Sequence, residues 1–158
     1  MVKKIPDGFH SVTAALTVRE GAKMIDFYKQ AFGAQEVVRI AGPDGKSLMH
    51  AEIKIGDSIV MLSDEQPGGC RAPIGVGAPT SYLYVYVPDV DKTFNQATKA
   101  GAKVVMPISD MFWGDRFGQV EDPSGHRWGL ATHKEDVTPE EMAKRSKEFF
   151  AKMSQGKK

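Results

Sequence analysis

Apolar residues along this chain change their period in a fixed order, and the order occurs twice. Residues 12–18 are rich in β-branched and apolar side chains and read as a strand. Residues 21–32 carry Met24, Ile25, Phe27, Tyr28, Ala31 and Phe32 as one helical stripe, and Gly33 follows as a C-cap glycine. Strands are predicted over 35–40, 48–55 and 58–62, with turn signals at Gly42-Pro43-Asp44-Gly45 and Gly56-Asp57. Residues 65–79, rich in Gly and Pro, read as a linker.

The pattern then restarts. A strand is predicted over 82–87, then a helix over 90–100 with Val90, Phe94, Ala97 and Gly101 on one side, then strands over 103–106, 116–121 and 126–131. Gly101-Ala102 echoes Gly33-Ala34 after the first helix. The pattern predicts an α+β fold of two βαβββ modules, 10–64 and 80–135, forming a curved mixed sheet around a cleft. Residues 136–153 add a C-terminal helix, opened by Thr138-Pro139-Glu140-Glu141 with a capping threonine and proline at the first turn. Its stripe of Met142, Phe149, Phe150 and Met153 needs a surface to cover, in its own chain or in a second copy.

Strand alternation sorts side chains between faces. A two-residue turn at Gly56-Asp57 sets Ile55 opposite Ser58, Ile53 opposite Val60 and Ala51 opposite Leu62 on the helix side. His50, Glu52 and Met61 then point to the other face, toward the cleft. In the second module Leu83, Val85 and Val87 face the helix, and Tyr82, Tyr84 and Tyr86 face the cleft. Such a wall suits an aromatic or amphipathic ligand; filling of the cleft or of a dimer interface is the other reading.

Composition narrows the partners. A formal net charge of +1 gives no electrostatic case for nucleic acid or an anionic membrane. No run approaches the ~18 apolar residues of a membrane span, and the N-terminal residues lack a signal-peptide pattern. The single cysteine, Cys70, forms no internal disulfide and reads as a spare loop thiol, so a cytoplasmic location is expected.

Leu16-Thr17-Val18, Ile25-Asp26-Phe27-Tyr28 and Phe32-Gly33-Ala34 resemble the opening of vicinal oxygen chelate proteins, the glyoxalase/bleomycin resistance/dioxygenase superfamily. Val120-Glu121-Asp122-Pro123-Ser124-Gly125-His126 resembles that family's closing hairpin. Residues 112–118 and 128–133 look like the PhnB-like branch. The resemblance implies a divalent metal held by four inward residues and acting as a Lewis acid, at positions that match Thr13, Met61, Tyr82 and Gly129 here. None is a good ligand for a hard or borderline cation, so no cofactor is expected. Some PhnB-like proteins carry a methyltransferase label, but the chain has no Gly-rich loop after a parallel first strand to support it.

Two functional readings follow. One is a metal-free binding or sequestering protein for a small, partly aromatic molecule, with His50, Glu52, Met61, Tyr82, Tyr84, Trp113 and Arg116 as ligand-binding candidates. Trp113 is expected to cap the pocket, and Arg116 to clamp an anionic group or pair with Asp110 or Asp115. The other is an isomerase, glyoxalase-like lyase or dioxygenase with a displaced metal site, or an acid/base pair, at His50 and Glu52, with His10 the nearest third candidate. His126 reads as structural and His133 as exposed. The family commonly dimerises, which implies a homodimer.

Overall fold

The computed structural model describes residues 2–155. In chain order they form β1 (Ala14–Val18), α1 (Gly21–Phe32), β2 (Gln35–Ala41), β3 (Leu48–Ile55), β4 (Ser58–Asp64), α2 (Pro73–Val76), β5 (Tyr82–Tyr86), α3 (Val90–Lys99), β6 (Lys103–Asp110), β7 (Asp115–Glu121), β8 (Arg127–His133) and α4 (Pro139–Gln155). The strands make two four-stranded sheets of one design, ordered β1-β4-β3-β2 and β5-β8-β7-β6. In each, the first strand runs parallel to the last and the remaining pairs are antiparallel. The doubled pattern is therefore a doubled fold.

Local chemistry sets the element ends. Gly33 closes α1 at φ 65°, a left-handed conformation that glycine adopts without a Cβ clash. Asp89 caps α3 by accepting from the Lys92 backbone N–H at 2.9 Å, and Thr138 caps α4 from the Glu141 N–H at 3.2 Å. The β3–β4 hairpin has the predicted register, with Ala51 beside Leu62, Ile53 beside Val60 and Ile55 beside Ser58.

Beyond shifts of one or two residues at strand ends, two elements differ from the sequence expectation. β6 continues through Pro107 to Asp110 instead of ending at Met106. It is an edge strand whose register shifts on both sides of Met106, and an edge tolerates a residue without a backbone N–H. The linker also contains the short helix α2, with Pro73 at its first turn.

The core lies between the helices and the sheets. Met24, Ile25, Phe27 and Tyr28 of α1 join Val90, Phe94 and Ala97 of α3, with Ile53 and Leu62 from the first sheet and Val120, Trp128 and Leu130 from the second, Trp128 packing on Tyr28 and Phe32 of α1. Each such side chain contributes about 1.5–3 kcal/mol on burial. Polar bonds also fasten the halves together. Buried Asp122 accepts from Tyr28 of α1 as well as from Trp128 and the Ser124 and His126 backbone. The His126 Nε2 lies 2.7 Å from the Thr17 carbonyl, and the Arg19 N–H donates to Ser124 Oγ at 2.9 Å.

A second, smaller cluster of Met111, Phe117 and Ala131 gathers Met106, Trp113 and Phe149 of α4. The stripe of α4 thus covers part of its own chain, while Phe150 and Met153 stay exposed. Among the described residues, no helix is long and apolar enough to cross a membrane.

Candidate functional site: the cleft between two sheet edges

The two sheets do not share a hydrogen-bonded ladder; β1 and β5 are each an edge strand, and residues of both line a cleft of about 880 Å³. This is within the size range of small-molecule sites. One wall comes from His10, Thr13, Ala14 and the β3–β4 turn, the other from β5 between Leu83 and Tyr86. Because β5 ends its sheet, the cleft reaches Leu83 and Val85 on the helix side as well as Tyr84 and Tyr86 on the other.

The tyrosine face is held by one carboxylate. Asp115, 2% exposed at the start of β7, accepts from the Tyr84 hydroxyl at 2.8 Å, the Tyr86 hydroxyl at 2.9 Å and the Trp113 indole at 3.1 Å, all on Oδ2. Its Oδ1 lies 2.8 Å from His133 Nδ1, and His133 Nε2 lies 3.1 Å from Asp136. Burial raises the Asp115 pKa, but the bonds from His133 and the two tyrosines outweigh it and hold the carboxyl below its ordinary value. Burial and then the Asp115 bond push Tyr84 up, while the Asp115 bond does most to raise Tyr86. The same carboxylate, then Asp136, raises His133 and favours its protonated form.

The structure brings some of the anticipated residues together and separates others. Tyr82, Tyr84 and Trp113 share one face: Tyr82 meets Tyr84 at 6.3 Å between ring centroids, Tyr84 stacks on Phe117 at 5.1 Å, and Trp113 reaches Phe117 edge-on at 5.9 Å. His50 and Glu52 form a second group on β3, with Nε2 and Oε1 3.3 Å apart and Met61 opposite Glu52. Among the described residues, no hydrogen bond or ring contact joins the two groups, and of the seven candidates Tyr84 alone lines the cleft.

Arg116 is placed away from the tyrosines. Next to Asp115 on β7, it points to the opposite face, where Asp91 of α3 grips it at 2.6 and 2.7 Å and Asp110 at 3.1 Å. Its fork of donors is committed there, with the expected pairing to Asp110, and is not left to clamp an anion in the cleft. His133 is exposed, as expected, with its side chain 51% accessible, and both its ring nitrogens meet carboxylates.

The donor set does not fit the superfamily's metal. The Thr13 hydroxyl is bound to the His10 carbonyl at 2.8 Å, and Met61 offers only a thioether. Parallel pairing puts Ala15 beside Met61, and Tyr84 beside Gly129. Neither neighbour repairs the set, since alanine has no donor and the Tyr84 proton goes to Asp115. At Gly129 a Cβ would lie 2.7 Å from Phe117 Cε2 and 3.1 Å from Tyr82 Cε2, so aromatic rings occupy the space a ligating side chain would need. Among the described residues, no three His, Cys, Asp or Glu side chains gather as a metal site.

Asp115, Asp57 and His133 are the site residues that the sequence reading passed over. Asp115 was counted as loop because the strand was started one residue late, at Arg116. Extending the alternation of β7 back by one position places Asp115 two residues before Phe117, on the tyrosine face.

Relatives agree with this architecture. An uncharacterized protein of Mycobacterium bovis is 42% identical over 131 residues, covering 80% of this chain and 86% of its own. The crystal structure of TioX from Micromonospora sp. ML1 is similar with a TM-score of 0.62 at 28% identity, over 82% of this chain and 100% of TioX. The PhnB protein from Bacillus cereus shares the fold with a TM-score of 0.59 at 18% identity, over 78% of this chain and 99% of its own. The sequence profile of the Glyoxalase/Bleomycin resistance protein/Dioxygenase superfamily matches residues 9–130, and the chain belongs to that superfamily.

Proposed function

We propose that the protein is a PhnB-like member of the superfamily that binds or sequesters a small, partly aromatic molecule without the metal its enzymes use. The observation that carries this reading is the exchange of ligating side chains for Thr13, Met61, Tyr82 and Gly129, with Phe117 and Tyr82 packed over the glycine. The cleft of about 880 Å³, which shares Thr13 with these positions, has Tyr84 and Tyr86 in its lining and so suits a partly aromatic ligand. Residues 10–64 and 80–135 act as the two modules that flank it, joined by 65–79 and followed by 136–153.

The test is calorimetric titration of the metal-stripped protein with flat aromatic compounds, followed by chromatography of each compound after long incubation. Binding with the compound recovered unchanged is the expected result. Binding only after a divalent ion is restored, or chemical conversion of every compound that binds, would remove the reading.

The His50–Glu52 approach of 3.3 Å favours one alternative, a metal-dependent isomerase, lyase or dioxygenase centred there. Elemental analysis after reconstitution separates the two, because that alternative requires a stoichiometric metal lost in Glu52→Gln.

A homodimer is part of the proposal. Val37, Ile40, Val104, Phe150 and Met153 are all more than half exposed, apolar side chains of which a second copy would cover a part. Sedimentation equilibrium is expected to give twice the mass of one chain, and a monomer at every concentration would count against it.

A further inference from the structure

Five residues with side-chain hydroxyls line the cleft, and each hydroxyl already donates its hydrogen bond within the protein. Thr13 donates to the His10 carbonyl at 2.8 Å, and Thr93 to the Asp89 carbonyl at 3.0 Å. Ser58 donates to the Asp57 carboxylate at 2.8 Å, while Tyr84 and Tyr86 donate to Asp115 at 2.8 and 2.9 Å. Carbonyls and ionised carboxylates have no proton to return, so a ligand that reaches any of these oxygens meets lone pairs only. The Trp128 indole, also in the lining, is spent on Asp122.

Charge points the same way. The lining holds the Asp57 carboxylate at the β3–β4 turn with the His10 imidazole near it, and among its described residues there is no lysine or arginine. Arg116, the cation anticipated there, is bound on the α3 side. Asp115 lies behind the two tyrosines and makes their oxygens better acceptors. Aromatic ring faces attract positive charge through their quadrupole. A carboxylate or phosphate would find no lysine or arginine among these groups and only the His10 imidazole as a side-chain donor, and a neutral acceptor would find no hydroxyl proton.

We propose that the cleft selects an organic cation, a flat ring system carrying an ammonium, amidinium or quaternised ring nitrogen. This rests on the reading of the cleft as a small-molecule site and adds the sign of the ligand's charge. The ring packs between the apolar residues of β1 and β5, and the positive end faces Tyr84, Tyr86 and Asp57.

Three probes of one shape and different charge test it: N-methylquinolinium, quinoline and naphthoate, titrated calorimetrically into the full chain at neutral pH. N-methylquinolinium is expected to bind roughly 5–30-fold more tightly than quinoline, with naphthoate weakest. Asp57 is exposed on its turn, so Asp57→Asn leaves the core intact, and it is expected to shrink the advantage of the cation while leaving quinoline unchanged. Tyr86→Phe, which removes one acceptor from an exposed ring, is expected to act in the same sense. Equal or tighter binding of quinoline or naphthoate overturns the charge inference alone. A cation advantage untouched by both substitutions overturns its placement in this cleft. If none of the three probes binds, the inference falls together with the small-molecule reading beneath it.

Discussion

The Tyr28 hydroxyl donates to Asp122 Oδ2 at 2.7 Å, across 94 positions of sequence, from a helix of the first half to a turn of the second. Both groups are buried, and the carboxylate completes its set with the Trp128 indole at 2.9 Å and the backbone N–H groups of Ser124 and His126 at 2.9 and 3.0 Å. Burial and then the charge of Asp122 push the Tyr28 pKa well above the ordinary tyrosine range, so the bond keeps its proton. The Asp122-Pro123-Ser124-Gly125 turn is therefore a joint between halves as well as a hairpin end.

Tyr28→Phe removes one donor from a buried charge and leaves the ring in place. A loss of about 1.5–3 kcal/mol in unfolding free energy is expected, read as a lower denaturant midpoint at unchanged slope. A midpoint equal to that of the parent would show that the bond contributes nothing net.

Gly129→Ala places a methyl group against Phe117 and Tyr82, at 2.7 and 3.1 Å from their ring carbons. Phe117, which is nearest, does not move freely, because it is stacked on Tyr84 and packed against Trp113. Overpacking of this kind costs about 1–3 kcal/mol. Thermal unfolding checks the cost, and near-ultraviolet circular dichroism checks that the aromatic face has shifted; an unchanged melting temperature would mean that the rings yield.

His133 links stability to pH. Its folded pKa is raised by Asp115 and then Asp136 above an unfolded value of ~6.5. Its contribution is complete below that unfolded value and is lost as pH rises through the folded one. Asp115 runs the other way: its pKa is lowered, so its contribution holds above an unfolded value of ~3.9 and is lost as pH falls through the folded one. The melting temperatures of the parent and of His133→Gln are thus expected to converge as pH climbs from slightly acidic to alkaline. A constant gap over that window would leave His133 without a folded-state shift.

Arg116→Gln separates the two faces of β7. It breaks the bonds to Asp91 and Asp110 and is expected to loosen the contact with α3, seen as faster amide exchange there. Affinity for cleft ligands is expected to stay unchanged, because the guanidinium lies on the far face. A large loss of affinity would return Arg116 to the site.

Short-range periodicity carried most of the fold. The helical stripe of α1, the turn at Gly56-Asp57 and the alternation of β5 each involve neighbours in sequence, so they could be read without knowing where the chain goes next. The resemblance to the superfamily, not periodicity, pointed to Thr13, Met61, Tyr82 and Gly129 as the positions matching its metal ligands, and residue identity at Met61 and Gly129 offers no good donor there. The start of β7 was misread by one residue, and that error hid Asp115.

What sequence alone determined about this protein is its doubled βαβββ order, the faces on which its tyrosines stand and the poverty of its metal-ligating positions. Those depend on backbone period and side-chain chemistry, which are local. Only the tertiary structure decided that β1 and β5 stay unpaired edges around a cleft, that Asp115 collects Tyr84, Tyr86, Trp113 and His133, and that Arg116 turns away to α3. Each is a contact between segments distant in sequence, and which distant segments meet depends on how the whole chain packs its apolar surface.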